Sequence, residues 1–181
     1  MKVNRFVLPL GAFAILAVVL GIAVKHSPQN SVIKSVLIGK PAPTFSLPNL
    51  MDSNSQISNA SLHGKPYLLN VWGTWCVACR QEHQSLMQIA ALKQVTIVGL
   101  DWKDEDADAM AWLNRLGNPY THIAVDRIGR TAIDYGVYAA PETFLVDENG
   151  IIIHKQIGPL SLEIWQRDFV PLLTGKAADK S

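Results

Sequence analysis

The sequence predicts an α/β fold, a mixed β-sheet with helices on both faces, set behind an apolar N-terminal segment. Three observations carry this. Two short, bounded apolar runs, YLLNVW (67–72) and VTIVGL (95–100), read as buried strands, and a helix-period pattern follows each. The runs TFLVD (143–147) and IIIHKQI (151–157), joined by Glu148-Asn149-Gly150, read as a closing antiparallel hairpin. Crossovers early in the chain and a hairpin late in it suit a mixed sheet covered on both sides. The stretch from Phe6 to Val24 contains no charged side chain.

Taken in order, Phe6–Val24 comes first. As a helix it rises about 28 Å, close to a bilayer's hydrocarbon thickness of about 30 Å. Lys2 and Arg5 precede it, the basic flank of a segment held at the cytoplasmic face. A cleavable signal peptide competes, but its apolar region is shorter, about 7–15 residues, and Ile22-Ala23-Val24-Lys25 offers no A-x-A site. The expected organisation is a cytoplasmic basic segment at 1–5, a transmembrane signal anchor at 6–24 and a tether at 25–40. A globular domain at 41–175, outside the cytoplasm, and a flexible tail at 176–181 complete it.

Lys40-Pro41-Ala42-Pro43 favours extended backbone. Phe45, Leu47 and Leu50 seat a first strand, and DSNSQISNAS (52–61) reads as polar turn. After the central strand YLLNVW, RQEHQSLMQIAAL (80–92) is helical, with Leu86, Ile89 and Ala90 on one face. Beyond VTIVGL, the acidic run Lys103–Asp108 marks the start of a helix carrying Met110, Trp112, Leu113 and Leu116, because carboxylates suit the amide dipoles there. Gly117-Asn118-Pro119 ends that helix. A strand at 121–125, a turn at 126–129, a short helix at 131–135, the hairpin and a helix at 162–173 follow.

Apolar residues make up 49 % and charged residues 17 % of the 181, with a formal charge of +1. Nothing there attracts nucleic acid. No repeat, low-complexity block or glycine-rich phosphate loop is present, and no cofactor or metal is expected.

The chemistry sits in WGTWCVACRQEH (72–83), which holds both cysteines, Cys76 and Cys79. Haem attachment requires C-x-x-C-H, and Arg80 occupies the histidine position. A two-Cys, two-His zinc site with His63 and His83 remains open by arithmetic, although cysteines between a buried strand and a helix are poorly placed for one. A permanent structural crosslink also remains open, but so short a loop stabilises little. Placement favours a redox pair: C-x-x-C at a strand-to-helix junction in an α/β pattern is a thioredoxin-like arrangement. Cys76 then lies at the helix mouth, where free amides favour a thiolate, as an exposed nucleophile. Cys79 lies one turn deeper as the resolving thiol. Trp75 covers one side of Cys76, while Trp72 reads as core, His83 as an ordinary helix residue, and Asp101 and Trp102 as a rim.

LLNVWGTWCVACRQEH (68–83), RLGNPY (115–120) and GVYAAPETFLVDENG (136–150), together with the anchor, resemble the membrane-tethered thioredoxin-like CcmG/DsbE family of bacterial cytochrome c maturation. The likeness covers the anchor and nearly all of residues 40–172. It implies a single-pass inner-membrane protein whose periplasmic domain is a protein thiol–disulfide oxidoreductase. Such a protein takes electrons from a DsbD-type membrane donor and keeps the haem-binding cysteines of apocytochrome c reduced, directly or through a CcmH-type partner. It also implies that Pro141 is a cis-proline facing the cysteines, in a groove with Trp75, Tyr138 and Ala140. Glu82 and Glu142 become candidates for proton relay or for tuning the thiols. Two departures stand out: the family's usual glycine in GVYGAPE is Ala139 here, and the intervening dipeptide is Val77-Ala78 rather than Pro-Thr. A general extracytoplasmic reductase or oxidase of the same fold, and a non-enzymatic membrane-held adaptor, are the competing functions.

Overall fold

The structure, a computed structural model, describes residues 7–25 and 35–175. The expected segment 1–5, tether residues 26–34 and tail 176–181 lie outside the described residues. The chain divides into two units, and the N-terminal one holds helix α1 (Val7–Lys25). The side chains described in α1, residues 9–22, are exposed; they rise about 21 Å along the axis. Among the described residues no helix is long and apolar enough to cross a membrane.

The second unit is built on one seven-stranded sheet of order β2-β1-β5-β4-β3-β6-β7. Its strands are β1 (Ser46–Asn49), β2 (Asp52–Ser58), β3 (Tyr67–Trp72), β4 (Thr96–Trp102), β5 (His122–Asp126), β6 (Glu142–Val146) and β7 (Ile152–Ile157). β3, β4 and β5 are parallel, whereas β6, β7, β1 and β2 join antiparallel. Between them lie α2 (Asn59–Leu62), α3 (Val77–Ala91), α4 (Asp106–Leu116) and α5 (Arg130–Asp134). The chain closes with α6 (Leu162–Ile164), a π-helical turn (Trp165–Phe169) and α7 (Val170–Leu173). Pro171, which has no amide to continue an α ladder, follows the widened turn.

Side chains alternate across the central strands, and this splits the core in two. Leu68, Trp72, Ile97, Ile123 and Leu145 pack with α3, α4 and the π-helical turn through Leu86, Ile89, Trp112, Trp165 and Phe169. Leu69, Val71, Val98, Leu100, Ala124 and Phe144 face the other way, toward Phe45, Ala132 and Tyr135.

Two features depart from the expected layout. Residues 52–58, read as polar turn, form the edge strand β2, in which Ile57 alone is buried while polar side chains face solvent. The domain also begins before residue 41: Gly39 N–H donates to the Ile152 carbonyl at 2.8 Å, Ile152 N–H to that of Lys40 at 3.0 Å, and Leu37 packs on the core.

Candidate active site

β3 delivers the redox sequence. Its six residues are all buried, and the chain leaves the sheet at Gly73 directly into α3. Cys76 caps that helix: its Sγ accepts the Cys79 N–H at 3.0 Å and is disulfide-bonded to Cys79. In this oxidised state Cys76 is 5 % exposed and Cys79 2 %. The nucleophile expected to be open to solvent is therefore largely covered, though less so than its mate. The apolar rim around it is exposed instead, with Trp75, Val77 and Tyr138 each more than half accessible.

The loop before β6 meets the sulfurs from the other side. The Ala140–Pro141 peptide is cis, Pro141 is buried, and the Ala140 carbonyl oxygen lies 3.4 Å from Cys76 Sγ. Ala139 stands in this loop without the left-handed backbone a glycine would be needed for. Trp75 is folded back, its Nε1 donating to the Trp102 carbonyl at 3.1 Å.

Glu82 is buried, not a solvated helix residue. Its Oε1 accepts from Asn70 Nδ2 at 2.9 Å and its Oε2 from the Leu160 N–H at 2.6 Å. Burial pushes its carboxyl up to about 7, against the two hydrogen bonds, which favour the charged form. Asn70 is the hub beneath it, donating also to Thr143 Oγ1 at 2.9 Å and accepting from the Tyr120 hydroxyl at 2.9 Å. Tyr120 stacks on Trp72 at 5.3 Å, and burial, with the Glu82 and Asp101 charges, raises its phenol well above the ordinary range.

Glu142 is fully buried and forms an ion pair with Lys155, Nζ to Oε2, at 2.7 Å; the contact is one of charge rather than an aligned hydrogen bond. Lys155 Nζ also donates to the Gly136 carbonyl at 3.1 Å and lies over the Phe144 ring, while Glu142 Oε1 accepts the Tyr138 N–H at 3.4 Å. Glu142 and Lys155 thus tie down the 136–142 loop.

His83, expected to be an ordinary helix residue, is also buried, its Nε2 donating to the Gly117 carbonyl at 3.0 Å; burial lowers its pKa against that bond. Asp101 is not at the rim but wholly buried, with neither oxygen hydrogen-bonded. Among the described residues no three His, Cys, Asp or Glu side chains converge to hold a metal. Sequence reasoning missed Asn70, Thr143, Tyr120 and Lys155. A polar residue inside the otherwise apolar YLLNVW was the available signal for the first.

A disulfide at a helix mouth, packed against a cis-proline loop on a mixed sheet, defines a thioredoxin-like thiol–disulfide oxidoreductase. Residues 37–168 match the Redoxin family model. The chain is 44 % identical over 170 residues to the thiol:disulfide interchange protein DsbE of Allochromatium vinosum, covering 94 % of this chain and 93 % of that one. It is 45 % identical over 172 residues to the DsbE of Pseudomonas aeruginosa, covering 95 % and 94 %. A crystal structure of a putative DsbE from Chlorobium tepidum superposes with a TM-score of 0.62 at 27 % identity, over 70 % of this chain and 89 % of that one. The chain belongs to the DsbE (CcmG) family of thiol–disulfide oxidoreductases.

Proposed function

We propose that this oxidoreductase is a reductant in bacterial cytochrome c maturation, anchored in the inner membrane by the segment 6–24 with its domain in the periplasm. The observation that carries the chemistry is the Cys76 sulfur at the mouth of α3, against the Ala140 carbonyl. The likeness to DsbE relatives over more than nine-tenths of the chain supports the pathway. The apolar run behind Lys2 and Arg5 supports the anchor.

In the reduced enzyme the Cys76 thiolate, favoured by the amides it caps, attacks one sulfur of a client disulfide. The client S–S bond breaks, a Cys76–client bond forms, and the other client sulfur leaves as a thiolate that takes a proton. Cys79 gives its proton to the Glu82 carboxylate, the buried acid one turn along α3, and attacks Cys76 Sγ. The Cys76–Cys79 bond forms, the mixed disulfide breaks, and the second client sulfur departs. Two electrons pass to the client. The chain is left oxidised, and a DsbD-type dithiol reduces it again. Trp75, Tyr138, Ala140 and Pro141 form the face on which the client strand lies. Glu142, its charge met by Lys155, holds that face in shape rather than carrying protons.

The client is the oxidised haem-binding motif of apocytochrome c, reached directly or through a CcmH-type partner. Cys79→Ala in cells should accumulate mixed disulfides through Cys76 with one of these proteins, and deletion of the gene should lower cytochrome c yield. Normal yield refutes the maturation role; trapping of unrelated clients alone points to a general extracytoplasmic reductase or oxidase.

A further inference from the structure

The acidic run 103–108 does more than open α4. Glu105, the N-cap residue of that helix, makes no side-chain cap bond. Asp104 turns instead toward the redox turn. Its Oδ1 accepts from Thr74 Oγ1 at 2.8 Å, and its Oδ2 accepts the Thr74 N–H. Asp104 is only 7 % exposed, so water competes little for these bonds. The Cys76 N–H then donates to the Gly73 carbonyl at 3.1 Å, which closes the turn that Thr74 sits in.

A second tie runs beside the first. The Trp75 indole meets Trp102 edge to face at 5.5 Å while donating to its carbonyl. Gly73 makes room for that fold-back, since a Cβ there would come within 2.5 Å of the Trp75 ring nitrogen. The far side of the segment is pinned by Arg127, just beyond β5. One guanidinium nitrogen donates to the Asp104 carbonyl and to Glu105 Oε2, each at 2.7 Å, and another to Asp106 Oδ1 at 2.6 Å. The segment following β4 therefore grips the residues on the N-terminal side of Cys76 and is itself held from β5.

We propose that Asp104 is a positioning residue of the redox pair, fixing Thr74 so that the Cys76 sulfur stays on the Cys79 amide through the reaction cycle. The inference rests on Cys76 being the nucleophile. A thiolate gains from a helix-mouth amide only while its turn holds it there, and a donor fixed in advance needs no reorganisation when the charge appears. Asp104 also carries a negative charge, which on its own disfavours a nearby thiolate. Thr74 separates the two effects, because changing it leaves the charge in place.

The test uses the reduced full-length chain. Iodoacetamide alkylation at about pH 6 reads the Cys76 thiolate, with the modified cysteine identified by mass spectrometry. Thr74→Val should slow modification of Cys76 roughly three- to ten-fold, the range of one hydrogen bond, and Thr74→Ser should restore it. In an Asp104→Ala background the same Thr74→Val change should have less than half its effect on the logarithm of the rate. The proposal is overturned if Thr74→Val lowers the unfolding midpoint and leaves the rate unchanged, or if its effect on the rate is equal in both backgrounds. Preferential modification of Cys79 in the unsubstituted chain overturns the nucleophile assignment, and the proposal with it. The site of labelling distinguishes that failure from the others.

Discussion

Asp101 offers the sharpest test of the energetics around the site. It ends the buried run of β4, in register with Trp72 of β3 and Val125 of β5, and neither carboxylate oxygen is hydrogen-bonded. Burial pushes its carboxyl up to about 7; the Asp104 and Asp106 charges add to this and Arg127 opposes it. The folded protein therefore holds a proton that the unfolded chain releases near pH 4. The contribution of Asp101 to stability must fall as pH rises from about 4 to about 7 and level off above that. A rise from 3.8 to about 7, at about 1.36 kcal/mol per pH unit, corresponds to roughly 4 kcal/mol. Asp101→Asn places a neutral amide in the same pocket at every pH, so its own desolvation cost does not vary with pH. The stability difference between variant and parent should start at a baseline near pH 4 and move in the variant's favour by roughly 4 kcal/mol by about pH 8. Urea unfolding of the oxidised chain at several pH values reads this as a relative midpoint shift on the order of 2 M. Glu82 titrates in the same range in both proteins and cancels in the difference. Parallel stability curves for the two proteins would refute the reasoning.

Three further outcomes follow from the same geometry. Glu82→Gln should weaken the inflection near pH 7 in the pH profile of disulfide exchange and slow the resolving step by about ten-fold or more, read by stopped-flow with a model disulfide. Lys155→Met strands the Glu142 carboxylate in the interior and should cost about 3–5 kcal/mol in chemical denaturation, whereas Lys155→Arg should retain most of the stability. Trp165→Ala, at the π-helical turn, empties a fully buried site and should cost about 3–5 kcal/mol in the same assay.

The elements legible in the sequence were those with a strong period. β3, β4, the β6–β7 hairpin and the helices α3 and α4 fall where apolar spacing placed them, because each buries a continuous face. β2 escaped because an edge strand with one side in water needs only Ile57 inside, and DSNSQIS otherwise carries the residues of a turn. The cysteine pair was legible by spacing, since the chemistry of exchange fixes it. Its surroundings were not. Glu82 and His83 occupy buried positions of α3, His83 against Trp112 of α4, and a helical wheel built on apolar residues assigns such polar side chains to solvent. Asn70, 50 residues from Tyr120 and 73 from Thr143, joins partners that only the sheet brings together.

The acids around the redox pair are handled in three different ways, and the difference bears on the direction of electron flow. Glu142 is met by Lys155, and Asp104 by two donors from Thr74. Glu82 and Asp101 are left with carboxyls near 7, so each takes up or loses a proton around neutrality. A carboxylate close to a thiolate raises the energy of the reduced, ionised pair and leaves a disulfide, which bears no charge, nearly untouched. Raising the dithiol relative to the disulfide lowers the reduction potential, which is what a donor of electrons in an oxidising compartment requires. On the proposed reading, Glu82 and Asp101 make that bias pH-dependent: as they ionise, the pair becomes a stronger reductant than the ordinary proton dependence of thiols accounts for. Replacing both with their amides should therefore raise the potential measured against glutathione at about pH 8 and leave it nearly unchanged at about pH 5, where both acids are already neutral. An equal shift at both pH values would mean that packing, not charge, sets the potential.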